Sequence, residues 1–236
     1  MIEDYRMWRH IFKLDPNKPI DDESLEKICE SGTDAVIVGG TDDVTLDQVL
    51  DLLARIRRYE VTCILEVSNL SAVTPGYDFY FIPMVLNTEN PKWLIDYHQQ
   101  AVKEYGEFIE WEELKAEGYI MLNPESKAYQ WTDSKQVTDE DVIAYAQVAE
   151  HLMHLPFVYM EYSGTYGDVK LVERVSEELD QSLLIYGGGI TTKAEARDMA
   201  RHADIVVVGN IIYENLNAAL RTVHAVHSVE KIKGGK

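Results

Sequence analysis

The sequence predicts an α/β protein built as one (β/α)8 barrel of the TIM type, with a missing or degenerate third helix. Short apolar runs rich in β-branched and aromatic residues alternate with longer amphipathic stretches, the pattern of parallel strands joined by crossover helices. Eight such runs fit into 236 residues, a length that suits one complete barrel. The strand ends are polar and glycine-containing, as expected where functional loops gather at one rim. An open doubly wound sheet is the competing arrangement, but eight strands in one domain favour closure.

In chain order, the first strand is expected at about Trp8–Leu14 and the first helix at about Asp22–Ser31. Strand 2, Ala35–Val38, is a continuous buried run ending at Gly39-Gly40. Helix 2 spans about Thr45–Arg57, with Thr45 as N-cap and Gln48 three residues on, as in a capping box. Strands 3 and 4 are Thr62–Val67 and Phe79–Pro83. The stretch between them contains Pro75-Gly76 and lacks the apolar periodicity of a crossover helix. A helix over about Pro91–Tyr105 follows, then strand 5 at Tyr119–Leu122 and a helix at about Asp139–His151 capped by Thr138. Strand 6 (Phe157–Glu161), helix 6 (Val169–Leu179), strand 7 (Leu183–Tyr186), helix 7 (Lys193–His202), strand 8 (Ile205–Val208) and a last helix (about Tyr213–His227) complete the pattern. Residues 1–230 read as one domain and 231–236, basic and glycine-containing, as a fraying tail.

Composition narrows the function. With 22 basic and 41 acidic residues the net charge is −19. Such a surface repels nucleic-acid phosphates and anionic membranes alike, so an anionic substrate needs a local concentration of donors. Cys29 and Cys63 sit in apolar runs and read as reduced core thiols. The N-terminal stretch has no signal-peptide pattern and no apolar run is long enough to span a bilayer, so the expected location is the cytoplasm.

The strand ends carry the chemistry. Strand 7 ends in Gly187-Gly188-Gly189 and strand 8 in Gly209-Asn210. Glycine lets backbone N–H groups approach phosphate oxygens closely. Each cluster alone could be an ordinary tight turn, but two after consecutive late strands match the recurrent phosphate site of this fold. Strand 1 ends in Lys13 and Asp15, two residues apart and therefore on one face. They could form a surface ion pair worth little. At a barrel mouth, however, Asp15 suits a Mg²⁺ ion that takes one or two carboxylates plus phosphate oxygens and water, and Thr41 could add an oxygen. Glu161, ending an apolar strand, is a candidate general base or hydroxyl anchor; the competing reading is a carboxylate tied into structural hydrogen bonds. Asp42-Asp43 lack the third aspartate of a DDxxD signature. There is no GxxxxGK[ST], GxGxxG or HExxH. His151 and His154 run into Leu155-Pro156 and read as a helix terminus, and Trp93, Tyr97, Tyr105, Trp111 and Tyr119 as core or interface.

Taken together, HIFKLDP, ESGTDAVIVGGT, YFIPMVLNT, YMEYSGTYGD, YGGGI and VVVGN, in this order, resemble the geranylgeranylglyceryl phosphate synthase family, most closely its bacterial branch of heptaprenylglyceryl phosphate synthases, the PcrB proteins. The resemblance spans essentially the whole chain. It implies a modified barrel without a regular third helix and a Mg²⁺-dependent transfer of a polyprenyl group from its diphosphate to the hydroxyl of sn-glycerol 1-phosphate. Carried over, Lys13, Tyr159, Met160, Glu161, Tyr162, Ser163, Gly164, Gly189, Gly209 and Asn210 would bind glycerol 1-phosphate, and Asp15 and Thr41 would serve the metal. The segment Tyr97–Tyr105 would wall an apolar groove for the prenyl tail. Ala101 stands where archaeal relatives carry a tryptophan that stops the chain, which implies a tail of about C35 rather than C20. A homodimer and a transient membrane contact at the barrel mouth are also implied. Two rivals stay open: another phosphate-binding barrel enzyme, such as a sugar phosphate isomerase or aldolase, and a non-catalytic barrel that binds a phosphorylated lipid or metabolite.

Overall fold

A computed structural model describes residues 5–41 and 44–231. Asp42, Asp43 and residues 232–236 of the expected tail lie outside the described residues. Lys231, expected to fray, instead pairs with Asp204 at 2.6 Å.

Eight parallel strands close into a barrel in sequence order: β1 (His10–Leu14), β2 (Ala35–Val38), β3 (Thr62–Glu66), β4 (Phe79–Val85), β5 (Leu114–Met121), β6 (Phe157–Glu161), β7 (Leu183–Gly187) and β8 (Ile205–Val208). Closure is made by β1 on β8, with Ile11 opposite Val207. Alternation along each strand sorts the side chains into two cores. Ile11, Ile37, Ile64, Phe81, Tyr159, Ile185 and Val207 fill the barrel interior. Phe12, Val36, Cys63, Val158, Leu184 and Val206 pack outward against the helices. Both cysteines are buried free thiols.

The helices α1 (Asp22–Cys29), α2 (Leu46–Ile56), α3 (Asp96–Tyr105), α4 (Lys127–Trp131), α5 (Asp139–Gln147), α6 (Val169–Glu177), α7 (Lys193–Ala200), α8 (Ile211–Glu214) and α9 (Leu216–His227) surround the sheet. Thr45 and Thr138 cap their helices as expected, each in a full capping box. Between β3 and β4 there is only a single 3-10 turn, Leu70–Ala72, so the third crossover helix is missing.

Four of the boundaries that differ from expectation have a local reason. β5 begins at Leu114 rather than Tyr119, because Lys115 and Glu117 break the apolar run while still occupying inward positions. β4 extends beyond Pro83 to Val85. It tolerates the proline because β3 pairs only with Phe79–Phe81, leaving no ladder bond for Pro83 to lose. The helix expected from Pro91 starts at Asp96, after a 3-10 turn over Pro91–Trp93. The last helix is divided into α8 and α9 at Asn215, whose extended backbone places its side chain to accept the Ala218 N–H. In addition, α5 continues as a π-helical turn, Val148–Leu152. There the buried Glu150 carboxylate accepts backbone N–H bonds from Asp180, Gln181 and Ser182. That turn ends the helix before His154, whose φ is +53°.

Candidate active site

The C-terminal ends of the strands open into a cavity of about 420 Å³. Of the residues expected at a site, Lys13, Asp15, Thr41, Tyr159, Glu161, Ser163, Gly164, Gly187, Gly188, Gly189, Gly209 and Asn210 all line it. Three others stand apart. Met160 is fully buried in the helix-facing core, because strand alternation turns it away from Tyr159 and Glu161. Tyr162 packs outside the cavity, its ring against Gly167. Ala101 lies on α3, off the lining, and so does the rest of 97–105; the nearby wall is built instead by Trp93, Ala128 and Trp131. Trp93 touches both Trp131, at 6.5 Å, and Tyr97, at 5.2 Å.

The glycine-rich side is shaped by backbone. Gly189 has φ +57°, and an added Cβ would sit 2.1 Å from the Thr165 carbonyl carbon and Tyr166 nitrogen. No side chain fits there. An added Cβ on Gly187 would sit 2.2 Å from the Tyr159 hydroxyl. The glycines therefore let the β6 and β7 loops close on one another, and backbone rather than side chains faces the cavity there. At the neighbouring rim Asn210 accepts from the Lys18 ammonium at 2.9 Å. The Asp15 N–H donates to the Tyr213 hydroxyl at 2.9 Å, which ties the end of β1 to α8.

The opposite half is titratable. The Lys13 ammonium donates to Glu66 Oε2 at 2.5 Å. The Tyr119 hydroxyl lies 3.2 Å from Glu66 Oε1 and 3.0 Å from Glu161 Oε2. Its ring stacks on Tyr159 at 4.3 Å. Glu161 Oε1 accepts the Ser163 N–H at 2.6 Å and its hydroxyl at 2.8 Å. Below them Glu117 is fully buried with neither carboxyl oxygen hydrogen-bonded. Burial drives the Glu117 pKa well above the ordinary carboxylate range, with Glu66 adding to it and Lys13 opposing. Burial also raises Glu161, against the pull of Lys13 and Ser163. For Lys13, burial works downward, but Glu66, Glu161 and Glu117 outweigh it and hold the ammonium above its usual value.

Glu66, Glu117 and Tyr119 are the functional candidates that sequence reasoning missed. Glu66 carried a usable signal, an acid at the end of an apolar strand two residues from Ile64 and so on the inner face. Glu117 was hidden by the late start assigned to strand 5, and Tyr119 by its aromatic character.

The residues present fit a magnesium ion. Asp15 Oδ1 lies 2.8 Å from where a Cβ on Gly40 would sit, so the glycine leaves space beside this carboxylate, and Thr41 lines the same cavity. Among the described residues no three His, Cys, Asp or Glu side chains converge as a cage. A single carboxylate with a hydroxyl suits an ion that takes its other ligands from phosphates and water.

Comparison with known proteins agrees with this geometry. The model of the PcrB family matches residues 3–227. The chain is 62% identical over 220 residues to the heptaprenylglyceryl phosphate synthase of Anoxybacillus flavithermus, covering 93% of this chain and 95% of that one. It is 57% identical over 235 residues to the synthase of the same name from Geobacillus kaustophilus, covering 99% and 98%. The crystal structure of (S)-3-O-geranylgeranylglyceryl phosphate synthase from Thermoplasma acidophilum, in complex with sn-glycerol-1-phosphate, superposes with a TM-score of 0.84 at 23% identity, covering 94% of each chain. At that identity the likeness speaks for the fold.

Proposed function

The chain belongs to the PcrB family, and on that premise we propose that it transfers a long polyprenyl group, about C35, from its diphosphate to the hydroxyl of sn-glycerol 1-phosphate, with Mg²⁺, giving a prenylglyceryl phosphate ether. The observation that carries this reading is the two-sided mouth. A backbone-lined glycine cradle at β7–β8 and a carboxylate, Asp15, at the end of β1 open onto one cavity that Glu161 also lines. The relatives' names supply the substrate class.

In this reading the N–H groups around Gly188, Gly189 and Gly209 receive the glycerol phosphate, as turns of this kind receive anions, and Lys13 adds the local positive charge that the net −19 lacks. Glu161 accepts the proton of the attacking hydroxyl or orients it. Asp15 and Thr41 would hold the magnesium, which when bound neutralises the leaving diphosphate. Trp93 and Trp131 give the prenyl group an apolar wall, and Tyr97 and Ala101, one helical turn apart on α3, continue it away from the mouth. A homodimer and a transient contact of the mouth with membrane belong to the same reading. Among the described residues no helix is long and apolar enough to cross a membrane.

Lys13 speaks against the aldolase alternative. A Schiff-base lysine has to lose its proton near neutral pH, whereas the carboxylates around Lys13 hold its proton more firmly. The deciding experiment incubates the protein with radiolabelled glycerol 1-phosphate and C20 to C35 prenyl diphosphates, with and without Mg²⁺. An organic-extractable labelled product that needs the metal is expected; its absence with every donor would overturn the reading. Asp15→Asn is expected to abolish turnover while equilibrium binding of glycerol 1-phosphate is largely kept, because the metal serves the other anion.

A further inference from the structure

Tyr119 has one hydroxyl proton for two carboxylates, Glu66 at 3.2 Å and Glu161 at 3.0 Å, while its oxygen also accepts from the Lys13 ammonium at 3.4 Å. The remaining oxygens of both acids are already engaged. Glu66 Oε2 takes Lys13, and Glu161 Oε1 takes both donors of Ser163. If both acids are ionised, the Tyr119 hydroxyl donates to one and turns its oxygen lone pairs on the other. If one acid holds a proton, every contact becomes a hydrogen bond running in one direction, from Glu161 through Tyr119 to Glu66, with Lys13 closing the far end. The charges around the chain make that second state accessible once a proton is delivered. Among the described residues Lys13 of β1 is the one cation lining the cavity, and it faces Glu66 of β3 and Glu117 of β5 as well as Glu161. Tyr119 and Tyr159 are the other titratable groups of the interior near Glu161; β2, β7 and β8 present Gly39, Gly187 and Val207 there, and Asp15 lines the same cavity.

We propose that Glu66 and Tyr119 are positioning residues that act through Glu161, forming with it a hydrogen-bonded chain that is one proton short until the substrate hydroxyl supplies it. This rests on the transferase reading. There the hydroxyl oxygen bonds to the prenyl C1 as the C1–diphosphate bond breaks, its electron pair leaving with the diphosphate. The hydroxyl proton passes to Glu161, which then donates to the Tyr119 oxygen while Tyr119 donates to Glu66. Capture of the proton thus completes the chain instead of stranding a buried charge.

Two substitutions should each lower the proton affinity of Glu161. Glu66→Gln removes the neighbouring negative charge, turns an amide N–H towards the Tyr119 oxygen so that Tyr119 donates to Glu161, and leaves Lys13 to act on Glu161. Its titration midpoint should fall by about one pH unit. Tyr119→Phe removes the oxygen that accepts the proton captured by Glu161, and the midpoint should likewise fall by about one pH unit. The reading is a carbon-13 NMR titration of carboxyl-labelled glutamates in the intact protein without substrates, with Glu161 assigned by the loss of its signal in Glu161→Gln. Because it requires no turnover, its failure is separate from a failure to form labelled ether product. In the transfer assay the acidic limb of the kcat profile should shift to lower pH in both variants. Midpoints that stay put, or that rise, would overturn the proposal. A merely structural role would lower stability in both variants without moving the Glu161 midpoint. Should Tyr119→Phe not fold, the downward shift in Glu66→Gln alone decides, and its absence overturns the chain.

Discussion

The two halves of the barrel mouth are built on opposite principles. At β6–β8 the cavity is backed by main chain, and shape is enforced by glycines whose Cβ atoms would strike neighbouring loops. At β1, β3 and β5 it is backed by ionisable side chains: Lys13, Glu66 and Tyr119 in mutual contact, with Glu117 buried below them. The first half offers a fixed array of partial charges that needs no protonation state to work. The second can change its charge, which is what the making and breaking of an O–H bond demands. Glu161 belongs to both, reached from Tyr119 on one side and from the Ser163 turn on the other. On the proposed function this is a division of labour, with binding in the backbone-lined half and proton handling in the titratable half.

That division can be broken experimentally. The largest effect is expected for Glu161→Gln, which should cut kcat for ether formation by about 10²–10⁴-fold, the usual contribution of a positioned acid or base, while glycerol 1-phosphate affinity, measured calorimetrically, changes far less. Comparable losses in both would dissolve the distinction. Next comes Gly189→Ala. With main-chain atoms 2.1 Å from the new Cβ the loop has to move, so glycerol 1-phosphate binding should weaken at least tenfold, about 1.4 kcal/mol, and the pH profile should keep its shape. A moved acidic limb would show that the halves are not separable.

A smaller effect tests the titratable half through stability. Glu117 is raised in the folded protein relative to the unfolded chain. Its contribution to stability is therefore full below the unfolded carboxylate pKa and is lost as pH rises through the folded value. Glu117→Gln removes that dependence, so in urea unfolding the variant should gain on the parent at pH 8 relative to pH 5. A constant difference across that range would mean that Glu117 does not hold its proton. The smallest effect is expected for Ala101→Trp. Ala101 lies off the cavity, beyond the Trp93–Tyr97 contact, so the variant should shift donor preference towards C20 with little change in kcat for short donors. Unchanged chain-length preference in a competition assay would remove Ala101 from the groove.

The two halves also differed in how far the sequence exposed them. Runs such as YMEYSG, YGGGI and VVVGN announce their turns, because glycine and short polar residues mark places where the chain must bend sharply. Strand order and most helix boundaries were equally readable, since periodicity reports burial directly. Glu117 was not, because an acid inside a strand contradicts the pattern by which strands are recognised, and only the register with Phe157 places it inside the barrel. The neighbourhood of Lys13 was similarly hidden. Its partner Glu66 is 53 residues away along the chain, and the meeting depends on the pairing of β2 with both β1 and β3. Met160 shows the opposite error, in which a motif read as a block ignored that every second side chain of a strand leaves the site.

The closure of β1 against β8 has a kinetic corollary. Lys13 and Asp15 stand on the first strand, and Gly209 and Asn210 directly follow the last, so the mouth gathers groups separated by nearly the whole barrel sequence. The Asp15–Tyr213 bond alone spans 198 residues. Loop closure over such distances is among the slow events of folding. On the proposed function, the nascent chain has no complete anion site until β8 has emerged and docked, so competence for substrate arrives in one late step.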